Sequence, residues 1–298
     1  MNDSTFLQRS KKKTAAIYID KIWTSVFWFI SLLVLFLIAW LLYTIIGKGL
    51  HHFSWRFLIK LPEEIDAGGG VGPFLFNSFY VLFLSLVISI PIGLGAGIYL
   101  SEYAPNNRLT EIVRTCVEGL ASVPSIVIGL FGYVIFVDYL DIGLTVIGAA
   151  ISLSIMNLPM LTRVTEQAIS TVPIELREAS FALGSTKAQG IIKIVVPAAM
   201  NGILTGISLT ACRAIGESAV ILLVGGTSAS DNMWDFHLMS PGGTLPVHLW
   251  YIQSEALVAD AKEIANKSAA VLVVIILLMS FSIRLPIWIK NYINHRRS

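Results

Sequence analysis

Six long apolar runs divide the chain, and they constrain its fold more than any other feature. Each is long enough to cross about 30 Å of hydrocarbon as a helix that rises about 1.5 Å per residue. The composition agrees, since the 298 residues are 55% hydrophobic and only 13% charged, against about a quarter charged in soluble domains. We therefore predict an all-α polytopic membrane protein with six transmembrane helices, at residues 22–46, 74–100, 112–137, 143–162, 198–224 and 268–287.

The basic residues orient these spans. Of the 21 Lys and Arg residues, Arg213 lies inside a span, fifteen lie on the side of the N-terminus, and five lie on the other side, at Lys48, Arg56, Lys60, Lys262 and Lys267. Lys and Arg are enriched in cytoplasmic loops. Both termini are therefore predicted to be cytoplasmic, with an N-terminal segment at 1–21, a six-span domain at 22–287, an outer loop at 225–266 and a C-terminal tail at 288–298. The net charge of +2 gives no indication of nucleic acid binding.

The polar segment 171–197, between the fourth and fifth spans, carries the signals of a compact helix–turn–helix. Pro173 suits a first helical turn, where its missing N–H has no partner to lose. Gly184 stands where a residue with a left-handed backbone would end the first helix. Thr186 and Gln189 form the pattern of a capping box that opens a second helix, and Pro197 is predicted to close that helix off from the fifth span. Such an element favours a docking surface.

The same segment, called the coupling loop from here on, resembles the EAA loop of ABC importer permeases. The family pattern is Glu-Ala-Ala, three residues, Gly, nine residues, Ile, one residue, Leu-Pro, and this chain departs from it at Ser180 and Val196. In that family the loop sits in a cleft of the cytoplasmic ATPase and transmits its motion. The resemblance implies that the ATPase is contacted by Glu178, Ala179, Ser180, Gly184, Ile194 and Pro197.

The chain itself has no phosphate-binding loop for a nucleotide, because the glycines at 68–70 precede no Lys. ATP and Mg are therefore expected to be used by a partner ATPase, with no cofactor bound by this subunit. His237 and His248 lie in the outer loop without the close spacing of metal ligands, so we predict no metal site and surface or interfacial histidines. The apolar stretch 239–251 is predicted to lie at the outer interface of the bilayer.

Charged residues inside the spans are candidates for the substrate pathway. Arg213 and Glu217 lie one helical turn apart in the fifth predicted span. An Arg near the bilayer centre costs about 3 kcal/mol on insertion scales, whereas an i,i+4 ion pair contributes only about 0.2–0.5 kcal/mol. The pair is therefore predicted to face the protein interior or a hydrated pathway, with a purely structural ion pair as the alternative. Glu118 repeats the spacing after Arg114, and Ser125 follows a proline expected to kink the third span.

Several segments also resemble, in matching order, the permeases of the phosphate-specific ABC importer. They are Leu-Ser-Glu-Tyr-Ala at 100–104, Val-Pro-Ser-Ile-Val-Ile-Gly-Leu-Phe-Gly at 123–132, Arg-Ala-Ile-Gly-Glu-Ser-Ala at 213–219 and Thr-Leu-Pro-Val at 244–247. The second and last of these resemble the PstA-type subunit more than the PstC-type. The resemblance implies a substrate pathway lined by Arg213, Glu217, Ser125 and Glu118, with Arg213 compensating the charge of phosphate.

What this resemblance implies about the assembly is a six-helix core of the molybdate/methionine permease kind in the bacterial plasma membrane, surrounded by membrane lipid. A PstC-like permease would complete the pathway, two copies of a PstB-like ATPase would bind below, and a PstS-like phosphate-binding protein would deliver substrate. A permease for another anion or small solute would carry the same coupling loop. An intramembrane enzyme would need a nucleophile with its base or a metal cluster, and no His falls in a predicted span. A purely structural subunit would not need a capped docking loop.

Overall fold

Eleven α-helices make up the fold in the part of the chain that the structure describes. The structure is a computed structural model, and it describes residues 3–51, 53–63, 68–255, 258 and 260–295. The helices are α1 (Asp3–Leu50), α2 (Gly72–Ile98), α3 (Arg108–Ala121), α4 (Ser125–Tyr133), α5 (Val146–Ser170), α6 (Ile174–Ala182), α7 (Lys187–Gly190), α8 (Val196–Ile215), α9 (Ala219–Val224), α10 (Leu245–Ser254) and α11 (Ala261–His295). Three π-helical turns extend or join them, at Tyr99–Tyr103, Val134–Tyr139 and Ile191–Val195. The predicted all-α fold is confirmed.

Five helical stretches among the described residues are long and apolar enough to cross a membrane individually: Tyr18–Leu50, Gly72–Tyr103, Val146–Ser170, Lys187–Ile215 and Ala261–Ser282. The first begins inside the segment 1–21 that was predicted to precede it, and the last begins seven residues before the predicted 268. Hydropathy locates the apolar part of a helix, whereas the helix itself continues into polar sequence wherever its backbone bonds can continue. The helices thus begin before the predicted residues 22 and 268, and the membrane boundaries themselves stay predictions.

The third predicted span is not one helix. Arg108–Ala121 and Ser125–Tyr139 meet at an angle of 92°, so the predicted kink at Pro124 is present, but it is sharp enough to divide residues 112–137 into two helices. Pro124 cannot donate a helical hydrogen bond and disfavours helical geometry in the residue before it. The Ser122 hydroxyl meanwhile donates to the Gly119 carbonyl at 2.7 Å and ends α3.

The bent pair nevertheless connects the two ends of the bundle, which makes it the sixth crossing. At its start, Arg114 Nη2 donates to the Leu100 carbonyl at 3.0 Å, beside the end of α2. After its end, the Thr145 N–H donates to the Val224 carbonyl at 3.0 Å, beside the outer loop. The bundle therefore has a coupling-loop end and an outer-loop end. The assignment of the coupling-loop end to the cytoplasm stays a prediction from the Lys and Arg count.

Helices α2 and α5 pack closely in the core. A Cβ added to Gly93 would lie 2.7 Å from the Leu161 Cβ, and one added to Gly97 would lie 2.6 Å from the Thr165 Cβ. Small residues at such positions let membrane helices approach closely, where packing replaces the hydrophobic effect as the driving force. Helix α1, by contrast, exposes its apolar side chains along its length, and it contacts α11 through Gly49.

The fifth span differs from the prediction at both ends. Lys187–Ile215 is one helical stretch, so the prediction that Pro197 separates a short helix from the span is wrong. The Val196 N–H donates five residues back to the Ile191 carbonyl, and Pro197 follows in the first turn of α8. Pro197 has no N–H to donate, so a regular α-helical bond would be missing at this position. We attribute the continuity of the helix to the π-helical turn, which changes the hydrogen-bond pattern just before Pro197. At the other end the helix stops at Ile215, and α9 begins after a break at 216–218.

Helix α10 is part of the core at the outer-loop end. Leu245 and Val247 are fully buried, and the helix packs against α11 and α2. The prediction that 239–251 lies at the bilayer interface is therefore wrong for its helical part. An apolar segment too short to cross a membrane can bury its side chains in lipid or against protein, and sequence alone does not distinguish the two.

Candidate functional site

The coupling loop has the local geometry that its sequence predicts. Helix α6 begins directly after Pro173. Gly184 has a left-handed backbone with φ +81°. The Thr186 hydroxyl accepts from the Gln189 N–H at 3.4 Å, while the Gln189 side chain accepts from the Thr186 N–H at 3.1 Å. This reciprocal capping box opens α7 as predicted. The loop is therefore a structured helix–turn–helix that lies at one end of the bundle.

The predicted ATPase-contacting residues divide into exposed and inward-facing sets. Glu178, Ala179, Gly184 and Pro197 are exposed, Ile194 is half-buried, and Ser180 is buried. Ser180 is 2% exposed, and its hydroxyl lies within hydrogen-bonding distance of the Ser185 hydroxyl. Around the exposed set lie large apolar side chains that are also exposed, at Ile174, Leu176, Phe181, Leu183 and Ile192. Four of these five, Ile174, Leu176, Phe181 and Leu183, lie outside the candidate membrane spans, and an apolar patch there indicates a protein contact. The contact with an ATPase stays a prediction.

A salt bridge that the sequence did not reveal fixes the coupling loop to α2. Arg177 on α6 donates to Glu102 Oε1 from Nη2 at 2.7 Å and from Nε at 3.0 Å. The two side chains are only 17% and 10% exposed. Arg177 also donates to the backbone carbonyls of Ile169 and Val172. The partners are 75 residues apart, so spacing along the chain carries no signal for the pair.

Glu118 belongs to a cluster of ion pairs near the coupling-loop end. Its Oε1 accepts from Arg163 Nη2 at 2.8 Å, while Arg114 pairs with Glu166 at 2.6 Å and not with Glu118. Arg163 also reaches Glu166 Oε2 at 3.3 Å. The interpretation of Arg114 and Glu118 as an i,i+4 repeat is therefore wrong, because α5 offers a better-buried carboxylate. Glu166 was missed because it follows the predicted end of the fourth span by four residues. The placement of Glu118 in the substrate pathway stays a prediction.

Arg213 and Glu217 do not form the predicted i,i+4 pair, because the helix ends between them. Arg213 lies in the last turn of α8, where the negative end of the helix dipole favours a cation. Glu217 Oε1 accepts from the Ala219 N–H at 3.0 Å, which satisfies a free donor at the start of α9. Within the described part of the chain, the exposed Arg213 side chain has no ion pair or hydrogen bond. Its guanidinium is available to an external anion.

The two helix breaks lie side by side. A Cβ on Gly129 would lie 3.1 Å from the Val220 Cα, and one on Gly132 would lie 2.9 Å from the Val224 side chain. Helices α4 and α9 therefore run in parallel, which puts Ser125 at the level of the break before α9. Ser125 is the first residue of α4 and is half-buried. The arrangement brings a helix N-terminus, a hydroxyl and the break next to Arg213 together inside the spans.

His248 is buried rather than superficial, contrary to the prediction. It is 5% exposed and its ring stacks on Phe74 with centroids 4.0 Å apart. Neither ring nitrogen has a hydrogen-bond partner among the described residues. The ring borders a cavity of about 190 Å³ at the outer-loop end, which Glu63 and Asp231 also line. Burial in this site lowers the pKa of His248 to about 4, so the ring is neutral at physiological pH.

Five apolar spans with one bent helix pair, a capped helix–turn–helix at one end, and an Arg213 side chain without an ion pair or hydrogen bond among the described residues are features of a membrane permease of the ABC importer fold. Solved structures show the same fold: a MetNI methionine ABC transporter in an inward-facing conformation matches with a TM-score of 0.54 at 24% identity, over 72% of this chain and 91% of that one. A bacterial ABC transporter involved in the import of alginate matches with a TM-score of 0.55 at 15% identity, over 89% and 98% of the two chains.

The family follows from sequence comparison. Residues 89–298 match the model of the binding-protein-dependent transport system inner membrane component, and the chain belongs to that family. It is similar to the probable ABC transporter permease protein YqgI of Bacillus subtilis, at 38% identity over 89% of this chain and 94% of the relative. It is also similar to the phosphate transport system permease protein PstA of Yersinia pestis, at 35% identity over 84% of each chain. As a permease subunit of this family, the chain is non-catalytic and acts with a separate ATPase and a substrate-binding protein.

Proposed function

We propose that this chain is a PstA-type permease subunit that forms half of the translocation pathway for inorganic phosphate. The observation that carries the proposal is the Arg213 side chain, exposed and unpaired within the described residues at a break inside a membrane span. An intramembrane Arg that no protein carboxylate neutralises is costly unless an anion or water accompanies it. Several relatives at 31–35% sequence identity are named phosphate transport system permease protein PstA, and these names support phosphate as the anion.

The chemistry of the site suits phosphate. Arg presents a planar fork of N–H donors that matches the oxygens of a phosphate group. The Ser125 hydroxyl can donate one further hydrogen bond from the start of α4, where backbone N–H groups favour negative charge. The Glu217 carboxylate, engaged with α9, places negative charge near the same break. Transport requires release as well as capture, so a nearby carboxylate limits the affinity.

The proposed assembly completes the pathway. A PstC-like permease would cover the exposed face of Arg213, and two copies of a PstB-like ATPase, which use ATP and Mg, would bind the coupling loops. A PstS-like phosphate-binding protein would dock at the outer-loop end. This arrangement places the chain in the bacterial plasma (inner) membrane with both termini in the cytoplasm. It is supported by the exposed apolar side chains around Glu178 and by the excess of Lys and Arg at the coupling-loop end.

The test is phosphate uptake by the assembled transporter carrying Arg213→Ala. Loss of a charge-assisted hydrogen bond worth about 1.5 kcal/mol lowers capture about tenfold, so uptake at low phosphate should fall by that factor or more, while the ATPase still co-purifies. Arg213→Lys keeps the charge without the planar fork and should retain partial uptake. Arg56→Ala is the matched control, since Arg56 is exposed and lies outside the spans.

A second variant separates the pathway role from a structural one. Because Arg213 and Glu217 are not paired, adding Glu217→Gln to Arg213→Ala should not recover uptake. Recovery in the double variant, at unchanged yield of the complex, would rule out the pathway assignment.

The alternative is a permease for another anion or small solute, since the relative with 38% identity carries no substrate in its name. Stimulation of ATP hydrolysis in the assembled complex by a panel of solutes distinguishes the two. Phosphate should stimulate at lower concentration than sulfate or an amino acid. Stimulation by another solute alone would replace the phosphate assignment and leave the permease function intact.

A further inference from the structure

Helix α2 is attached firmly to the coupling loop at one end. The Arg177–Glu102 pair joins α6 to the π-helical turn that continues α2, and Arg177 donates four hydrogen bonds in all. The Lys187 ammonium of α7 lies 4.8 Å from the centroid of the Tyr103 ring, one residue further along. Both helices of the coupling loop are thus fixed to the same turn. A shielded charge pair with additional carbonyl partners holds its geometry far better than an exposed pair.

The opposite end of α2 is attached to the outer loop by buried hydrogen bonds. Asn77 Nδ2 donates to the carbonyls of Pro241 and Gly243, each at 3.1 Å. The Ser78 hydroxyl accepts from the Leu245 N–H at 2.9 Å. Asn77 and Ser78 are 3% and 4% exposed, so water does not replace these bonds. The polar side chains of α2 therefore hold the segment that leads into α10.

Helix α5 stiffens α2 between these two attachments. The backbone contact at Gly93 and Gly97 excludes even a methyl group between the helices. Further along, Asn157 Nδ2 donates to the Ser85 hydroxyl at 3.1 Å, and both side chains are buried. Pro91, where α2 lacks one backbone hydrogen bond, lies along the chain between this bond and the contact at Gly93. The pair α2–α5 is thus braced on both sides of the position where α2 alone would bend most easily.

Helix α8 is continuous with the coupling loop along the chain but is less able to transmit its displacement. A π-helical turn lies next to the coupling loop in both helices, at Ile191–Val195 before α8 and at Tyr99–Tyr103 after α2, so it does not distinguish them. Helix α8, however, stops at the break 216–218 before reaching the outer loop. A movement of the coupling loop can be absorbed at this break, where the helix is interrupted. Residues 77–102 of α2 and its π-helical turn, by contrast, span about 37 Å at 1.5 Å per residue without a helix end.

We propose that α2, braced by α5, is the lever that carries movement of the coupling loop to the outer loop, with Glu102 and Asn77 as its two attachment residues. The inference rests on the proposed coupling of this loop to an ATPase and is independent of which solute is transported. Glu102 and Asn77 are positioning residues, since neither lies at the Arg213 site nor in the docking surface of the coupling loop. In this proposal, the buried polar residues of α2 contribute to transport as well as to the stability of the fold.

The experiment measures movement at the outer loop in the complete complex of permeases and ATPase. The reporter is Met239→Cys, an exposed outer-loop position, in a chain whose Cys116 and Cys212 are replaced by Ser and Ala. The rate of labelling by a soluble maleimide is compared before and after addition of ATP and Mg. ATP should change this rate in the otherwise unmodified complex. Asn77→Leu removes two buried hydrogen bonds and should reduce the change about fivefold or more, the factor expected when each contributes at the low end of its usual range, while ATP hydrolysis and complex yield are retained.

A second pair of variants tests the lever as a unit. Glu102→Gln should reduce the labelling change as Asn77→Leu does, and combining the two should cause no further loss, because each disconnects the same element. Ser78→Ala removes a single hydroxyl and gives a milder outer-end variant if Asn77→Leu lowers the yield. The matched control is Glu63→Gln, which removes a carboxylate from the exposed pair with Lys60 and should leave the change intact.

Three results would overturn the lever. The labelling rate of Met239→Cys could fail to change with ATP in the complex without further substitutions, or it could change fully in Asn77→Leu. The losses of Asn77→Leu and Glu102→Gln could also add in the double variant. Phosphate is absent from this measurement. If the phosphate assignment is wrong and the lever is right, the complex does not take up phosphate but the labelling of its reporter still changes on addition of ATP.

Discussion

Gly184 offers the sharpest test of the coupling loop, because its backbone is strained for any other residue while its surroundings are open. Its φ is +81°, and no heavy atom lies within 4 Å of a Cβ placed there. A substitution therefore introduces backbone strain without a steric clash. An L-residue in left-handed geometry costs about 1–2 kcal/mol, and a β-branched side chain costs more. Gly184→Ala should thus bias the loop away from the observed turn by a factor of about 5–30.

The assay is retention of the ATPase by the detergent-purified complex as it is diluted, together with uptake per ATP hydrolysed. Gly184→Ala should raise the concentration of complex at which half of the ATPase is still bound by up to about 5–30-fold. Gly184→Val should lose the ATPase or uncouple hydrolysis from uptake. Gly184→Asn should fall between Gly and Ala, because Asn tolerates left-handed geometry better than other side chains.

Gly95→Ala is the matched control. Gly95 also has no neighbour within 4 Å, but it lies within α2 and does not have a positive φ. In a helix the change from Gly to Ala is favourable by about 1 kcal/mol, so ATPase retention should be unchanged. Equal retention by Gly184→Ala and the unmodified complex, or normal coupled transport by Gly184→Val, would refute the role assigned to the turn.

Three further predictions concern orientation, the ion-pair cluster and pH. A cysteine label at Ser185 should react only from the cytoplasm and one at Ser240 only from outside; reaction of Ser185 from outside would reverse the orientation. Glu166→Gln removes the carboxylate that two partly exposed arginines share and should destabilise the chain by about 1.5 kcal/mol, seen as a lower unfolding temperature of the complex. An unchanged temperature would contradict the cluster's contribution. The pKa of His248 lies at about 4 in the folded chain, below its ordinary 6.5, so only the unfolded chain binds the proton between these values. Stability should therefore fall as the pH drops from about 6.5 towards 4, and His248→Phe should flatten that fall in thermal unfolding measured against pH.

The sequence by itself determined the features that depend on local chemistry or on average hydropathy. Apolar runs predicted the crossings, because a bilayer forces backbone groups to pair within each helix. The turn at Gly184 and the capping box at Thr186 and Gln189 were predicted correctly, because their partners are at most three residues away. The fixed spacing of the EAA pattern then indicated the family, which the match over residues 89–298 confirms.

The tertiary structure alone decided how these pieces contact one another. Arg114 had Glu118 one turn away, yet it pairs with Glu166 on α5, 52 residues further along. Nothing in the spacing distinguishes the two carboxylates, because the choice depends on which one packing brings close and shields from water. The hydropathy of the fifth span likewise gives no sign of its break, since Gly216 and Ser218 are ordinary residues in membrane helices.

The same limit applies to the outer loop and to α2. His248 and the apolar residues of α10 could have faced lipid, and only the arrangement of α2 and α11 around them buries them. Glu102 and Arg177 are separated by 75 residues, and Asn77 meets its partners more than 160 residues away. Local sequence sets which backbone and side-chain groups need partners, but the partners that satisfy them are chosen when the helices pack.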